Sequence, residues 1–202
     1  MQALKIPFHT NRYFILRHGH SLANEQGLIV SSPDNGVSEY GLSEKGKEEV
    51  KKSITAAKEA GLFNPKIKPV VIYSPFLRAM ETASIVTSVL KGEKYPDSNL
   101  KERFFGEFEL TENSNYEKGW EEDSTDPTHT NFGVESVESV AKRMVEVVKR
   151  SGRRYSEKDV ILVTHGDPGQ ILQCVFDGLN PADHRSLQDL ETAELRPMPS
   201  KG

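Results

Sequence analysis

The sequence predicts an α/β fold with a mostly parallel central sheet. Three short apolar runs, at residues 13–16, 69–73 and 159–164, have the pattern of strands that are buried on both faces. The second and third runs lead into turn residues and then into segments with helical periodicity. Buried strands that alternate with amphipathic helices are typical of parallel sheets covered by helices.

The length of 202 residues suits one domain spanning 1–202, with terminal tails at 1–11 and 198–202. The formal net charge of -4 argues against a nucleic-acid partner. No apolar stretch reaches the roughly 20 residues of a membrane span. The single Cys174 excludes an internal disulfide, and its position within a helix predicts a small buried side chain. We expect a cytoplasmic protein without a membrane partner, and the oligomeric state stays open.

The first unit begins with the strand at 13–16, which runs into Arg17, His18 and Gly19. Residues 24–40 are polar and rich in turn residues, which predicts a loop. Ser43 is then a suitable N-cap for a helix that ends at Gly61.

The second unit begins with the strand at 69–73. Ser74 is predicted to cap the next helix with Pro75 at its first position, which places Arg78 in the first turn. Residues 100–109, which contain Glu102, predict a short strand or turn.

Residues 111–133 show no periodicity and predict a long acidic loop. Eight acidic residues and one Lys lie between Glu107 and Asp126, a charge of about -7. Loops of this length serve as lids or specificity elements, or are disordered, although an acidic loop can also simply face solvent. A helix capped by Ser136 follows, and three arginines near its end are expected on the surface: Arg150, Arg153 and Arg154.

The third unit places His165 directly after the strand at 159–164. Asp167 is predicted to cap the following helix, with Pro168 at its first position. A short helix around His184 and an edge strand at 189–195 complete the chain. Three other histidines have no pattern around them and are expected to be surface or capping residues: His9, His129 and His184.

The carboxyl ends of parallel strands form the ligand crevice of such folds, so the strand ends should bring Arg17, Arg78 and His165 around His18. Guanidinium groups match phosphoryl oxygens, and a neutral imidazole is a good nucleophile. Glu102 is the nearest candidate proton donor for a leaving group. An alternative is a metal site formed by His18, His20 and His165, but the two arginines would repel a cation and no further ligands can be placed.

Several motifs in fixed order resemble the histidine phosphatase superfamily, the phosphoglycerate mutase-like proteins, from about residue 12 to the end. They are Leu16-Arg17-His18-Gly19-His20-Ser21 with Asn24, Leu42-Ser43-x-x-Gly46, Ser74-Pro75-x-x-Arg78-Ala79-x-Glu81-Thr82, Glu102-Arg103-x-x-Gly106, Glu135-Ser136 and His165-Gly166. The resemblance implies a three-layer α/β/α sandwich with a mostly parallel sheet.

The resemblance also implies residue roles and the absence of a metal or other cofactor. His18 is the nucleophile that becomes phosphohistidine, and Glu102 is the general acid and base. The phosphoryl-binding residues that it implies are Arg17, Arg78 and His165, assisted by Asn24 and Gly166. We further expect Ser21 and His20 to contact substrate or phosphate. The chain departs from the family pattern at His20, where Glu or Gln is usual, at Ala23 and at Asp167.

The predicted function is a phosphatase that acts on a small phosphomonoester and holds a phosphate ion in its pocket. Three alternatives stay open: a cofactor-dependent phosphoglycerate mutase, a phosphohistidine protein phosphatase, and a non-catalytic module that binds a phosphorylated ligand. The intact set of reactive residues argues against the last. Substrate identity is expected to depend on the loops at 24–40 and 111–133.

Overall fold

The computed structural model describes residues 4–6 and 10–199. Five strands lie within this part of the chain: β1 (Arg12–Arg17), β2 (Val70–Tyr73), β3 (Glu93–Pro96), β4 (Asp159–Thr164) and β5 (Leu195–Pro197). They form one sheet in the order β3-β2-β4-β1-β5. The first four are parallel and β5 pairs antiparallel with β1, which confirms the prediction of a mostly parallel sheet.

The α-helices include four long ones that match predicted positions and three short ones. The long helices are α3 (Glu44–Glu59), α4 (Leu77–Leu90), α6 (Val137–Arg154) and α7 (Gly166–Asp177). The short helices are α1 (Leu22–Gln26), α2 (Pro33–Gly36) and α5 (Tyr116–Trp120). No helix in the described residues is long and apolar enough to cross a membrane.

Successive side chains of β1 point to opposite faces of the sheet and pack in two different hydrophobic cores. Tyr13 and Ile15 pack in a core that includes residues of α6 and α7, whereas Phe14 and Leu16 pack in a core that includes residues of α3 and α4. Each face of the sheet is therefore covered by helices, which confirms the three-layer α/β/α fold. Cys174 is buried in α7, as expected.

The sheet order brings the ends of β1 and β2 to either side of β4. The amides of His18 and Ser74 donate hydrogen bonds to the carbonyl oxygens of Thr164 and Val163, at 3.0 Å each. The three strand ends that carry His18, Ser74 and His165 thus form one edge, the usual position of a ligand crevice.

Two predicted helix caps are wrong. Helix α4 begins at Leu77 with Phe76 as its N-cap, and α7 begins at Gly166 with His165 as its N-cap. Ser74 Oγ accepts from the backbone amide of Phe76 at 3.3 Å and also lies 2.8 Å from His165 Nε2, whereas Asp167 accepts from Trp120. For Asp167, the tertiary contact replaces the predicted capping contact.

Both predicted loops contain short helices. Residues 24–40 include most of α1 and all of α2, and residues 111–133 include α5 and the 3₁₀ helices Asn113–Asn115 and Asn131–Gly133. Residues 101–105 contain no strand beyond an isolated bridge between Phe105 and Val134, and they lie between 3₁₀ helices at Ser98–Leu100 and Gly106–Phe108. Helices this short carry too few residues to show a hydrophobic period.

The edges of the sheet also differ from the sequence prediction. Strand β3 was not predicted because its mostly exposed Glu-Lys-Tyr-Pro sequence lacks an apolar face. The last edge strand begins at Leu195, where the predicted segment 189–195 ends. The predicted tails contribute to the core through Ile6 and Met198, while residues 1–3, 7–9 and 200–202 lie outside the described residues.

His129 and His184 are buried and neither is the N-cap of the adjacent 3₁₀ helix, so the expectation of surface or capping residues is wrong for both, and His9 lies outside the described residues. His129 Nε2 lies 2.7 Å from Asp123 Oδ1, and His184 lies in the 3₁₀ helix Pro181–Ser186.

The three arginines near the end of α6, Arg150, Arg153 and Arg154, are exposed, as predicted.

A close contact between two backbone segments fixes the turn after β1. A Cβ atom on Gly46 would lie 2.0 Å from the carbonyl oxygen of His20, and one on Gly19 would lie 2.5 Å from the carbonyl oxygen of Gly46. Both neighbouring atoms are backbone, so neither can move aside easily. The first turn of α3 therefore packs directly on the turn that carries His18.

We predict that Gly46→Ala lowers the free energy of unfolding by about 1–3 kcal/mol, the usual cost of overpacking. The result is diagnostic because alanine in a helix is otherwise about 1 kcal/mol more favourable than glycine. Denaturant unfolding measures the change, with the exposed Glu48→Ala in the same helix as a control that should change stability little. An unchanged or higher stability for Gly46→Ala would contradict the prediction.

Candidate active site

His18 is buried directly after β1, and its hydrogen bonds select one tautomer of its imidazole ring. Its Nδ1 lies 2.8 Å from the carbonyl oxygen of Gly19, which can only accept, so Nδ1 carries the proton. Its Nε2 accepts a hydrogen bond from Arg78 Nε at 3.0 Å. Burial and the charges of Arg78 and Arg17 lower the pKa of His18 well below its usual value. The imidazole is therefore neutral at pH 7, with its lone pair on Nε2.

Arg78 and Arg17 supply the positive charge around this ring. Arg78 is buried in the first turn of α4, where its Nη2 also donates to the carbonyl oxygen of Val30 at 2.9 Å. Arg17 is the last residue of β1, and its Nη1 donates to the carbonyl oxygen of Leu190 at 2.8 Å. These contacts hold both guanidinium groups in place while leaving other donors available.

His165 extends the site from the end of β4. Its ring is edge-on to His18, with 5.1 Å between ring centroids, and its Nε2 lies 2.8 Å from Ser74 Oγ. Burial and the charge of Arg78 lower the pKa of His165 well below its usual value, so this ring is also neutral at pH 7.

Three buried nitrogens of these residues make no hydrogen bond to any other described residue: Arg17 Nε, Arg78 Nη1 and His165 Nδ1. Buried polar groups normally have partners, since an unpaired one costs free energy. Three such groups around one unprotonated imidazole nitrogen indicate a site for an anion with several oxygen acceptors. A phosphoryl group fits this description.

Glu102 lies at the edge of this cluster. Its Oε2 lies 3.6 Å from His165 Nδ1 and 3.8 Å from Arg78 Nη2, while its Oε1 accepts from the backbone amide of Arg103 at 2.9 Å. Burial raises the pKa of Glu102 to about 7 despite the nearby cation of Arg78. A carboxyl group with this pKa can both give and take a proton near neutral pH.

The open part of the site is a cavity of about 260 Å³. Four of the residues predicted for the site line it: Arg17, Asn24, Glu102 and Gly166. Asn24 uses its side-chain oxygen to accept from the backbone amide and hydroxyl of Ser21, at 3.0 and 2.9 Å. Its amide group is therefore left to face the cavity. Gly166 is the first residue of α7, so its backbone N–H has no acceptor within the helix.

The side chains of Ser21 and His20 do not line the cavity. Ser21 is buried as the N-cap of α1, and the ring of His20 contacts Ser43 Oγ at 3.2 Å. The buried His18, Arg78 and His165 are absent from this lining as well, so the lining does not decide substrate contact, and the contacts expected of Ser21 and His20 stay predictions. Among the described residues, no group of three or more His, Cys, Asp or Glu side chains is arranged to hold a metal ion.

Sequence reasoning missed much of the cavity wall. Its further lining residues include Tyr116 and Trp120 of α5, Asn113, and a group near the end of the chain: Gln170, Arg185, Asp189 and Glu191. They come from segments that show no motif and, for α5, from the predicted acidic loop. The spacing of Tyr116 and Trp120, four residues apart, was the one signal in the sequence for a packed helix in this segment.

A buried ion cluster lies behind Glu102. The neighbouring Arg103 donates to both oxygens of Asp123 at 2.7 Å, and its Nη1 lies 3.3 Å from Asp167 Oδ2. Asp167 in turn accepts from Trp120 Nε1 at 2.8 Å. The cluster thus connects the Glu102 segment to α7 and to α5, two walls of the cavity.

Comparison with known proteins agrees with this geometry. The sequence model described as "Histidine phosphatase superfamily (branch 1)" matches residues 13–197. A relative from Hydrogenobacter thermophilus, which carries the provisional name phosphoserine phosphatase 2, is 24% identical over 176 residues, covering 83% of this chain and 79% of the relative.

Solved structures share the fold. A mycobacterial glucosyl-3-phosphoglycerate phosphatase superposes with a TM-score of 0.73 and 21% identity, over 91% of this chain and 87% of that one. The α-ribazole phosphatase from Shigella flexneri gives a TM-score of 0.71 and 19% identity, over 91% and 88% of the two chains. The family match covers nearly the whole sequence and includes every strand end at the site, so this chain belongs to the histidine phosphatase superfamily, branch 1.

Proposed function

We propose that this protein hydrolyses small phosphomonoesters through a phosphohistidine intermediate on His18 Nε2. The observation that supports this most directly is a set of buried nitrogens without partners among the described residues, on residues grouped with the unprotonated Nε2 of His18: Arg17 Nε, Arg78 Nη1 and His165 Nδ1. His165 Nδ1 is a donor when the Ser74 hydroxyl donates to Nε2 of the same ring. The same arrangement offers a nucleophile and the charge stabilisation that phosphoryl transfer requires.

In the first step, the phosphoryl oxygens accept hydrogen bonds from Arg17, Arg78 and His165. Arg78 Nε gives up its bond to His18 Nε2, which then attacks phosphorus as the bond to the leaving oxygen breaks. Glu102 donates its proton to that oxygen, and the alcohol leaves. The positive charge that forms on the imidazole is offset by the negative charge of the phosphoryl group.

In the second step, a water molecule attacks phosphorus on the opposite side from Nε2. Glu102, now ionised, takes a proton from that water, which returns the carboxyl group to its starting state. The N–P bond breaks, phosphate is released, and His18 is again neutral. The pKa of about 7 suits Glu102 to both roles.

The volume of the cavity and the family relatives support a small phosphorylated metabolite as substrate. A cavity of about 260 Å³ is small even for ligand pockets, which typically measure about 300–1,000 Å³. The names of the relatives refer to phosphoserine, glucosyl-3-phosphoglycerate and α-ribazole, a set of small molecules. We propose no metal or other cofactor, because Arg17, Arg78 and His165 supply the positive charge that a metal would otherwise provide.

We predict that His18→Ala abolishes phosphate release. Wild-type protein quenched shortly after exposure to labelled substrate should retain an acid-labile, base-stable label, as expected for phosphohistidine, and the variant should retain none. Tyr155→Phe serves as a control, since Tyr155 lies at the end of α6 and outside the cavity lining, and should keep both activity and label.

These assays also include EDTA, which should leave activity unchanged. Turnover by His18→Ala, or a wild-type enzyme that is active but never labelled, would rule out the covalent route. Loss of activity in EDTA, restored by one metal, would instead support a metal site.

We predict that Glu102→Gln slows hydrolysis of alkyl phosphates by about 10²–10⁴-fold, the usual contribution of general acid catalysis. Hydrolysis of nitrophenyl phosphate should slow far less, because its leaving group needs little protonation. The raised pKa means that the acid stays protonated up to about pH 7, so wild-type kcat/KM for alkyl phosphates should fall above that pH. The variant should lack this alkaline decline.

The exposed Glu107→Gln provides a control for the loss of one nearby charge. Equal losses on both substrates in Glu102→Gln would place the proton donor elsewhere.

We predict phosphatase rather than mutase activity. A mutase must hold a bisphosphorylated intermediate, which requires further cations over the pocket. Arg185 lines the cavity, but it is paired with Asp189 at 3.0 Å, and Glu191 adds further negative charge. The acidic residues between Glu107 and Asp126 do not line the cavity. Asp189 and Glu191, rather than that acidic segment, therefore disfavour a second phosphate.

The assay supplies 3-phosphoglycerate with catalytic 2,3-bisphosphoglycerate and follows both 2-phosphoglycerate and free phosphate. Phosphate release with little isomerisation is the expected result. Efficient isomerisation with little release would show that the protein is a mutase.

A further inference from the structure

Tyr116 lines the active-site cavity together with Arg17 and Glu102. It belongs to α5, within the segment whose sequence predicted only an acidic loop. Its side chain has two separable parts, an aromatic ring that packs against the protein and a hydroxyl group that no described residue hydrogen-bonds. The two parts can therefore be assigned separate roles.

The ring is fixed by aromatic contacts. It lies edge-on to Phe105, with 4.6 Å between centroids and an interplanar angle of 86°, and is stacked with Trp120 at 5.3 Å and 8°. Phe105 is fully buried. Trp120 is held by its hydrogen bond to Asp167, and the guanidinium carbon of Arg185 lies 3.9 Å from its ring centroid. The hydroxyl group is thus positioned by packing, with no need for a hydrogen bond of its own.

The cavity lining indicates which part of a substrate the hydroxyl can meet, since Tyr116 shares it with Arg17, Glu102 and Gly166 of the predicted phosphoryl site. The charges of Glu102, Arg78 and Arg17 act on the phenol, as does that of Asp167 in the ion cluster behind Glu102. Burial, followed by the charge of Glu102, raises the pKa of Tyr116. The phenol therefore stays protonated and acts as a hydrogen-bond donor.

We propose that Tyr116 is a further substrate-binding residue, whose hydroxyl donates a hydrogen bond to a phosphoryl oxygen beside Arg17 and Arg78. This inference rests on the proposed function, because it assumes that the anion in the site is the phosphoryl group of a substrate. A bound phosphoryl group would supply the acceptor that the hydroxyl lacks. The contact should persist through both chemical steps, since the same oxygens stay on phosphorus throughout.

The test is Tyr116→Phe, which removes the hydroxyl and retains the ring contacts. Inorganic phosphate binding is measured by calorimetry, and kcat/KM is measured for nitrophenyl phosphate and for an alkyl phosphate. We expect phosphate to bind about tenfold more weakly, as for the loss of one hydrogen bond to a charged group. We expect kcat/KM to fall by about the same factor for both substrates, with an unchanged melting temperature in the absence of phosphate. Tyr155→Phe, which lies outside the cavity lining, is the control and should change none of these values.

Unchanged phosphate affinity in Tyr116→Phe would overturn the proposal. A loss confined to the alkyl phosphate would also overturn it, since the hydroxyl would then act on the leaving group. Weaker binding together with a lower melting temperature would show a structural role instead.

The phosphate titration separates this inference from the proposed function. If the wild type binds phosphate but hydrolyses nothing, the proposed function fails, and a weaker affinity in Tyr116→Phe still supports the Tyr116 contact. If the wild type hydrolyses substrates and the variant matches it, only the Tyr116 proposal fails. A wild type that neither binds phosphate nor hydrolyses substrates would overturn both.

Discussion

The hydrogen bond from Arg78 Nε to His18 Nε2 is the contact on which the site depends. It requires an imidazole without a proton at Nε2, which the carbonyl oxygen of Gly19 ensures by holding the proton on Nδ1. This contact costs free energy, because it buries the guanidinium group of Arg78 with one of its donors, Nη1, unpaired. An anion that accepts from the remaining donors relieves this cost. The anion site that we propose therefore offers donors that are already in place, with Arg78 Nε giving up its bond to His18 Nε2.

Burial also explains the chemistry expected of Glu102. Its Oε2 lies 3.6 Å from His165 Nδ1 and 3.8 Å from Arg78 Nη2, and burial raises its pKa to about 7 although the charge of Arg78 lowers it. A solvent-exposed carboxyl group at this position would be ionised at neutral pH and could not donate a proton. The depth of the site, rather than any one neighbour, thus makes one residue suitable as both acid and base.

The ion cluster of Arg103, Asp123 and Asp167 links this chemistry to the cavity wall. Arg103 follows Glu102 directly, and Asp167 accepts a hydrogen bond from Trp120, which stacks on Tyr116. Buried pairs of this kind contribute little net stability, but loss of one member leaves an uncompensated charge. We infer that the cluster serves mainly to keep Glu102 and α5 in fixed positions. The five-residue helix α5 can then form a defined wall of the cavity although it is very short.

The sequence alone determined the three central strands, the long helices and the residues at the strand ends. Apolar runs and helical periods are local signals, and the order of motifs from Arg17 to His165 indicates the family without any geometry. The tertiary structure decided what depends on contacts distant in sequence. Capping is a local preference that predicts Ser74 and Asp167 as helix caps, yet both side chains form tertiary hydrogen bonds. His184 is buried and Tyr116 reaches the site because residues far apart in the chain pack around them, and neither position carries a periodic pattern that could reveal it.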